Sequence, residues 1–189
     1  MSEEWTKRDW RAELTRRRAG TDPRQIRILI QRAKDWVFEQ RPTCVHGYLP
    51  KHDSNEIDTR DLLAILVASG VDVVVPRIVD VVTGSMELVS WHPDHPVRIN
   101  RFGIDEPVGG RVVSGMDIDL WIVPLLGADK TGNRLGYGAG FYDRMLRGTP
   151  GMKVGLLPES CVVDALPVEP HDVPVDVVIT ENGVFNSYL

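Results

Sequence analysis

Apolar positions recur at helical spacing in the first third of the chain and run together in short blocks later. Between residues 3 and 18 the apolar points are Trp5, Trp10 and Leu14 on a mixed-charge background, which predicts a short exposed helix, with Gly20 where a C-terminal cap falls. Thr21-Asp22-Pro23-Arg24-Gln25 opens a second helix. Asp22 can cap it, Pro23 suits the first helical position, and Gln25 stands where a capping box needs it. Ile26, Leu29, Ile30, Ala33, Trp36 and Val37 then give a helix over 24–40 one buried face, and Arg41-Pro42 ends it. Asp58 or Thr59 caps a third helix over 58–69, with Leu62, Leu63, Ile65, Leu66 and Ser69 inward and Gly70 as the stop.

The later blocks read as strands. They are 71–75, closed by Pro76; a shorter one at 86–91 after the turn Thr83-Gly84-Ser85; 119–124; 153–157; and 175–179. A further helix is expected near 139–147. Helices alternating with short, continuously apolar strands predict a single three-layer α/β/α domain over 1–189 with a mostly parallel sheet, covered by helices 24–40 and 58–69. In such sheets ligands bind in the loops at the carboxyl ends of the strands.

Composition narrows the class. With 42% hydrophobic and 26% charged residues, a disordered chain, a collagen-like fibre and a coiled-coil rod are excluded. Cys44 and Cys161 are too few for a disulfide framework or a four-cysteine zinc site. No apolar run approaches the ~18 residues of a membrane span, and MSEEWTKRDW lacks the apolar centre of a signal peptide, so a cytoplasmic protein is expected. The net charge of −5 is uneven, with +4 on residues 1–41 and −9 on the rest. A basic patch on an acidic chain is either a solvated helix face or a site for a small anionic ligand, and the acidic total argues against nucleic acid as a partner.

The candidate chemistry lies in 123–144. Gly132, Gly136, Gly138 and Gly140 fall within nine residues, Arg134 stands just before the alternating Gly136-x-Gly138-x-Gly140, and a helix starts soon after. Glycines at that density let backbone N–H groups approach a polyanion, Arg134 adds a fixed cation, and Asp143 could hold a divalent cation on phosphate oxygens. The alternative is an irregular turn, with Asp143 a helix-start carboxylate and Phe141 and Tyr142 core aromatics. Lys7 and Arg11 share a helix face, either toward an anion or as a solvated salt-bridging surface with a Glu3–Lys7 pair. The histidines 46, 52, 92, 95 and 171 show no zinc spacing, and neither a Gly-x-Ser-x-Gly elbow nor a Cys-x-x-Cys pair supplies a covalent nucleophile.

Arg134-Leu-Gly-x-Gly-x-Gly-Phe-Tyr-Asp-Arg144, preceded by Val123-Pro124 and Asp129-x-x-Gly-x-Arg134, resembles the signature of 5-formyltetrahydrofolate cyclo-ligases, also called 5,10-methenyltetrahydrofolate synthetases. Lys7-x-x-x-Arg11, Glu56-Ile-Asp-Thr59, Pro76-Arg77, Asn100-Arg-Phe-Gly-Ile104 with Glu106-Pro107, and Leu166-Pro-Val-Glu-x-His-Asp172 occur in the family's order. The resemblance implies a Rossmann-like fold related to the sugar-phosphate isomerase and CoA transferase type. It implies an ATP- and magnesium-dependent closure of 5-formyltetrahydrofolate to 5,10-methenyltetrahydrofolate with release of ADP and phosphate.

By the same resemblance, Lys7, Arg8, Asp9, Trp10 and Arg11 are N-terminal ATP contacts, and Arg134, Leu135, Gly136, Tyr137, Gly138, Ala139, Gly140, Phe141 and Tyr142 form the ATP loop. Arg134 and Asp143 would be catalytic, and Asp143 and Asp172 would hold Mg2+. Glu56 would hold the reduced folate, faced by Tyr137, Gly138, Ala139, Gly140 and Phe141. The chain departs from the family at Gly127-Ala128-Asp129, where Ala-Phe-Asp is common, so an aromatic wall is expected to be missing there, and at Tyr137 and Ala139, where basic residues occur. Two other readings stay open: a relative that binds nucleotide without cyclo-ligase activity, and a sugar-phosphate-binding enzyme on the same fold.

Overall fold

The computed structural model describes residues 5–52 and 54–187. Four helices are present: α1 (Lys7–Ala19), α2 (Pro23–Gln40), α3 (Arg60–Ala68) and α4 (Phe141–Leu146). The strands are β1 (Cys44–His46), β2 (Asp72–Asp80), β3 (Ser85–Ser90), β4 (Val97–Ile99), β5 (Asp105–Pro107), β6 (Val112–Val113) and β7 (Leu120–Val123). After them come β8 (Gly127–Asp129), β9 (Arg134–Leu135), β10 (Met152–Leu156), β11 (Val162–Val163), β12 (Val177–Ile179) and β13 (Val184–Asn186).

The main sheet has the order β13-β12-β10-β7-β1-β2-β3-β6. Its five central strands, β12 to β2, are parallel, and antiparallel strands close both edges. Side chains alternate across it as the strand period requires. Leu120 and Ile122 of β7 enter a core shared with Leu29, Ala33 and Val37 of α2 and Leu62, Leu63 and Leu66 of α3. Trp121 and Val123 enter the opposite core, with Leu14 of α1 and Leu146 of α4. Both faces are therefore covered, giving three layers. Helices α2 and α3 lie on one face only; α1, α4 and a small β11-β8-β9 sheet form the other layer.

Local chemistry explains the elements. Asp22 and Gln25 form the capping box expected at α2, and Leu29 and Val37, fully buried, each contribute about 1.5–3 kcal/mol by leaving water. Arg41, in the left-handed region at φ 52°, ends the helix before Pro42. At α3 the Asp58 carboxylate accepts the Arg60 N–H, while the Thr59 hydroxyl turns away to the Tyr48 carbonyl. Two expectations need correction. Ser69 is exposed, not on the inner face of α3. Pro76 does not close its strand: β2 parts from β1 after Val74 and continues to Asp80 beside β3, where a missing N–H on the β1 side costs nothing.

Candidate active site

A cleft opens at the carboxyl ends of β1, β2 and β7, where an α/β sheet places its ligands. Lys7 and Arg11, Pro124, the Arg134–Asp143 segment and Asp172 line one end. Tyr48, Glu56, Pro76, Ile78, Phe102 and Ile104 line the other, where the apolar surface surrounds two carboxylates, Glu56 and a Glu106 that accepts from the Ile78 N–H and the Asn100 amide.

The glycine loop joins β9 to α4. Arg11 Nε donates to the Gly136 carbonyl at 2.9 Å, and Arg144 Nη1 donates to the Ala139 carbonyl at 3.1 Å, so helix and loop are tied from both sides. Gly138 has φ 98°, and a Cβ there would stand 3.0 Å from the Arg11 guanidinium carbon. Only glycine combines that conformation with so close a cation. The Arg134 side chain is 4% exposed; its Nη2 donates to Asp143 Oδ1 at 2.7 Å, and its Nη1 is buried without a partner among the described residues.

Asp143 and Asp172 both line the cleft, from loops at one end of the sheet. The Val173 N–H donates to Asp143 Oδ1 at 3.1 Å, which brings the backbone that follows Asp172 up to Asp143. Lys7 Nζ donates to Asp172 at 2.6 Å and to Glu169 at 2.6 Å. Burial works against both Lys7 and Asp172 being charged, yet Asp172 and Glu169 together hold Lys7 above its ordinary value, and Lys7 with the Glu169 N–H holds Asp172 below the carboxylate range. Glu169, His171 and Asp172 each bring one ligand atom to within 4.8 Å of the others at this rim. The Glu3 of the expected Glu3–Lys7 pair lies outside the described residues; Lys7 pairs with Glu169 and Asp172.

At the apolar end, burial pushes Glu56 up from its ordinary value, opposed by the Lys51 N–H, which donates to it at 2.8 Å, by the Arg18 charge and by the Tyr137 phenol. Phe102 and Phe141 stand edge to face with centroids 6.1 Å apart. Beneath the cleft His46 is fully buried and pushed down to about 3 by burial; its Nδ1 donates to the Ile122 carbonyl, so Nε2 faces the Tyr142 hydroxyl, 3.5 Å away, as an acceptor.

The structure does not bring every expected residue here. Among the described residues Arg8, Asp9 and Trp10 do not line the cleft: Arg8 and Asp9 are exposed, Asp9 completes a capping box with Thr6, and Trp10 lies against Trp5. Gly127 and Ala128 are buried in β8 under α1, away from the cleft, so that position holds no wall to lose; Phe102 and Phe141 supply the aromatic faces. Asp129 accepts from the N–H groups of Thr131, Asn133 and Leu166 and so shapes the turn. The sequence reading missed Phe102, Pro76 and Ile78 as lining residues. The only signal for them was the matched segments Pro76-Arg77 and Asn100–Ile104.

Fold and cleft together define a three-layer α/β protein with a glycine-rich loop, tied by two arginines, at the carboxyl end of its sheet. The sequence matches the 5-formyltetrahydrofolate cyclo-ligase family over residues 3–181. It is 31% identical over 179 residues to the 5-formyltetrahydrofolate cyclo-ligase of Escherichia coli K12, covering 91% of this chain and 98% of that protein. The Haemophilus influenzae protein of the same name is 35% identical over 125 residues, covering 64% and 67%. The NMR structure of Aquifex aeolicus 5,10-methenyltetrahydrofolate synthetase superposes with a TM-score of 0.83 at 28% identity, covering 97% of this chain and 93% of that one. A Mycoplasma pneumoniae synthetase of the same description shares the fold, with a TM-score of 0.75 at 19% identity over 94% of this chain and 99% of that one. The chain belongs to the 5-formyltetrahydrofolate cyclo-ligase family and, with it, to the ligases. No helix among the described residues is long and apolar enough to cross a membrane.

Proposed function

We propose that the cleft closes the ring of 5-formyltetrahydrofolate to 5,10-methenyltetrahydrofolate, converting ATP to ADP and phosphate. The observation that supports this most is the Arg134 guanidinium, buried in the glycine loop with Nη1 unpartnered. A buried donor left unmade costs about 1–3 kcal/mol, and a phosphoryl oxygen in the loop would satisfy it with a charge-assisted bond. Lys7 and Arg11 add cations from the helix side of the same loop.

In this reading the formyl oxygen attacks the γ-phosphorus, forming an O–P bond as the bond to ADP breaks. The N10 lone pair then attacks the activated carbon, the C–O bond breaks, phosphate leaves with that oxygen, and the N10 proton passes to solvent. Phosphoryl transfer of this kind needs positioning and charge neutralisation, not a covalent nucleophile. Cys44 and Cys161 agree, since both are buried and burial pushes both thiols up, Cys44 to about 11. Asp143 and Asp172 would hold magnesium, whose preference for hard oxygen donors fits carboxylates that line one cleft. The ion would neutralise charge on the phosphate oxygens. Arg134 and Lys7, which hold those carboxylates here, would turn to phosphate. Glu56 would accept from the donor edge of the pterin, with Phe102 and Phe141 beside the ring.

Substrate carrying a heavy-oxygen label in the formyl group tests the mechanism. The label should appear in inorganic phosphate; label released into water would contradict phosphorylation of the formyl oxygen.

A further inference from the structure

Arg18 lies on the stripe of α1 that carries Lys7 and Arg11, but deeper, and is 4% exposed. A charge buried that far needs partners. Its Nη2 donates to the Leu125 carbonyl, its Nη1 to the Tyr137 phenol oxygen at 3.3 Å, and its Nε has none among the described residues. Both acceptors are neutral. The carboxylate that feels the guanidinium is Glu56, which lines the same cleft as Tyr137 and acts on its phenol, as does the Ser54 side chain. A phenol that accepts from Arg18 is left to donate its own proton, and Glu56 is the charged acceptor that acts on it. Arg18, Tyr137 and Glu56 thus form a relay from the interior of α1 to the apolar end of the cleft.

We propose that Arg18 is a positioning residue for the folate end of the cleft, orienting the Tyr137 phenol toward Glu56 and supplying the positive charge that balances the Glu56 carboxylate; this rests on the reading of Glu56 as the group that holds the pterin. A carboxylate can accept from the donor edge of a pterin, whereas a protonated Glu56 would present a donor to it. Burial drives Glu56 toward the neutral form, and the groups facing it from each neighbouring segment are few. Lys51 offers its N–H and its ammonium charge, Tyr48 and Tyr142 offer neutral phenols whose titration burial pushes far up, and Tyr137 is pushed up to about 12 by burial and by Glu56. Arg18 is the strongest cation of the set acting on Glu56. The loop position occupied by Tyr137 therefore keeps a positive charge behind it although the residue itself is neutral.

The test reads Glu56 directly, by NMR titration of isotope-labelled glutamate carboxyls in the full chain without ligand, the resonance being assigned with Glu56→Gln. Arg18→Met, which keeps the apolar stem, should raise the Glu56 midpoint by about half a pH unit or more, and Arg18→Lys should raise it less. Tyr137→Phe, at a partly exposed site where folding is not at stake, should also raise it. In turnover, the ascending limb of kcat/KM for 5-formyltetrahydrofolate should move to higher pH by the same amount in Arg18→Met, with KM for ATP within about twofold of the parent. A Glu56 midpoint that stays put in Arg18→Met and Tyr137→Phe overturns the relay. Absent folate turnover in the parent protein would instead contradict the reading of the substrate, a different failure with a different signal.

Discussion

Arg134 and Asp143 concentrate the chemistry at the residue scale. Each holds the other at 2.7 Å, and the remaining buried donor of Arg134 is unpartnered. Arg134→Ala and Lys7→Ala should each weaken ATP binding on the order of tenfold or more in calorimetry, since a hydrogen bond to a charged group contributes about 1.5–3 kcal/mol. Unchanged affinity in folded Lys7→Ala would leave α1 a solvated face. Asp143→Asn keeps the shape that accepts the Val173 N–H but removes the charge, so turnover should fall sharply, thermal stability should fall only by the lost Arg134 pairing, and added magnesium should restore part of the rate. A destabilised variant with normal turnover would make Asp143 a structural cap. These two residues were legible because they stand nine positions apart in one motif. Arg18 was not, because its partners Leu125 and Tyr137 are 107 and 119 positions away and nothing local in a run of three arginines marks the buried one.

At the scale of the element, α1 is the part whose meaning changed between sequence and structure. Lys7, Arg11, Leu14 and Arg18 follow one another at helical spacing, so its inward stripe is mostly cationic, and a hydrophobic pattern could only register an exposed helix. The stripe packs on β8, where a Cβ at Gly127 would stand 2.7 Å from Leu14 and 2.8 Å from the Cys161 carbonyl oxygen. Gly127→Ala should therefore displace α1, costing about 1–3 kcal/mol in urea unfolding and weakening ATP binding through Lys7 and Arg11, although position 127 lies outside the cleft. Full stability and full affinity in that variant would show that α1 docks independently of β8. Elements with caps and long periodic faces, such as α2, were readable to within a residue or two, whereas three-residue strands such as β1, β4 and β5 fall below any period that a pattern can register.

For the molecule as a whole, the fold brings residue 7 to residue 172, so the first helix and a late loop meet at one cleft. The layers were legible because continuously apolar strands demand cover on both faces; which helix covers which face was not, since that depends on connections between elements rather than on the elements themselves. The Lys7–Asp172 pair should make stability depend on pH in a definite direction. Asp172 titrates below its unfolded value of about 3.9, so its contribution is present above that pH and is lost as pH falls through the lower folded value. Lys7 titrates above its unfolded value of about 10.4, so its contribution is full below that and is lost as pH rises through the folded value. The difference in urea midpoint between the parent and Lys7→Met should thus be steady near neutrality and shrink on acidification below about pH 4; a difference that widens there would contradict the pair. The most direct measurement of the central claim is the absorbance of the methenyl chromophore when purified protein is mixed with 5-formyltetrahydrofolate. The chromophore should grow in only when ATP and magnesium are both present, and a flat trace with MgATP, or equal growth without ATP, would contradict the assignment of this cleft as an ATP-driven cyclo-ligase site.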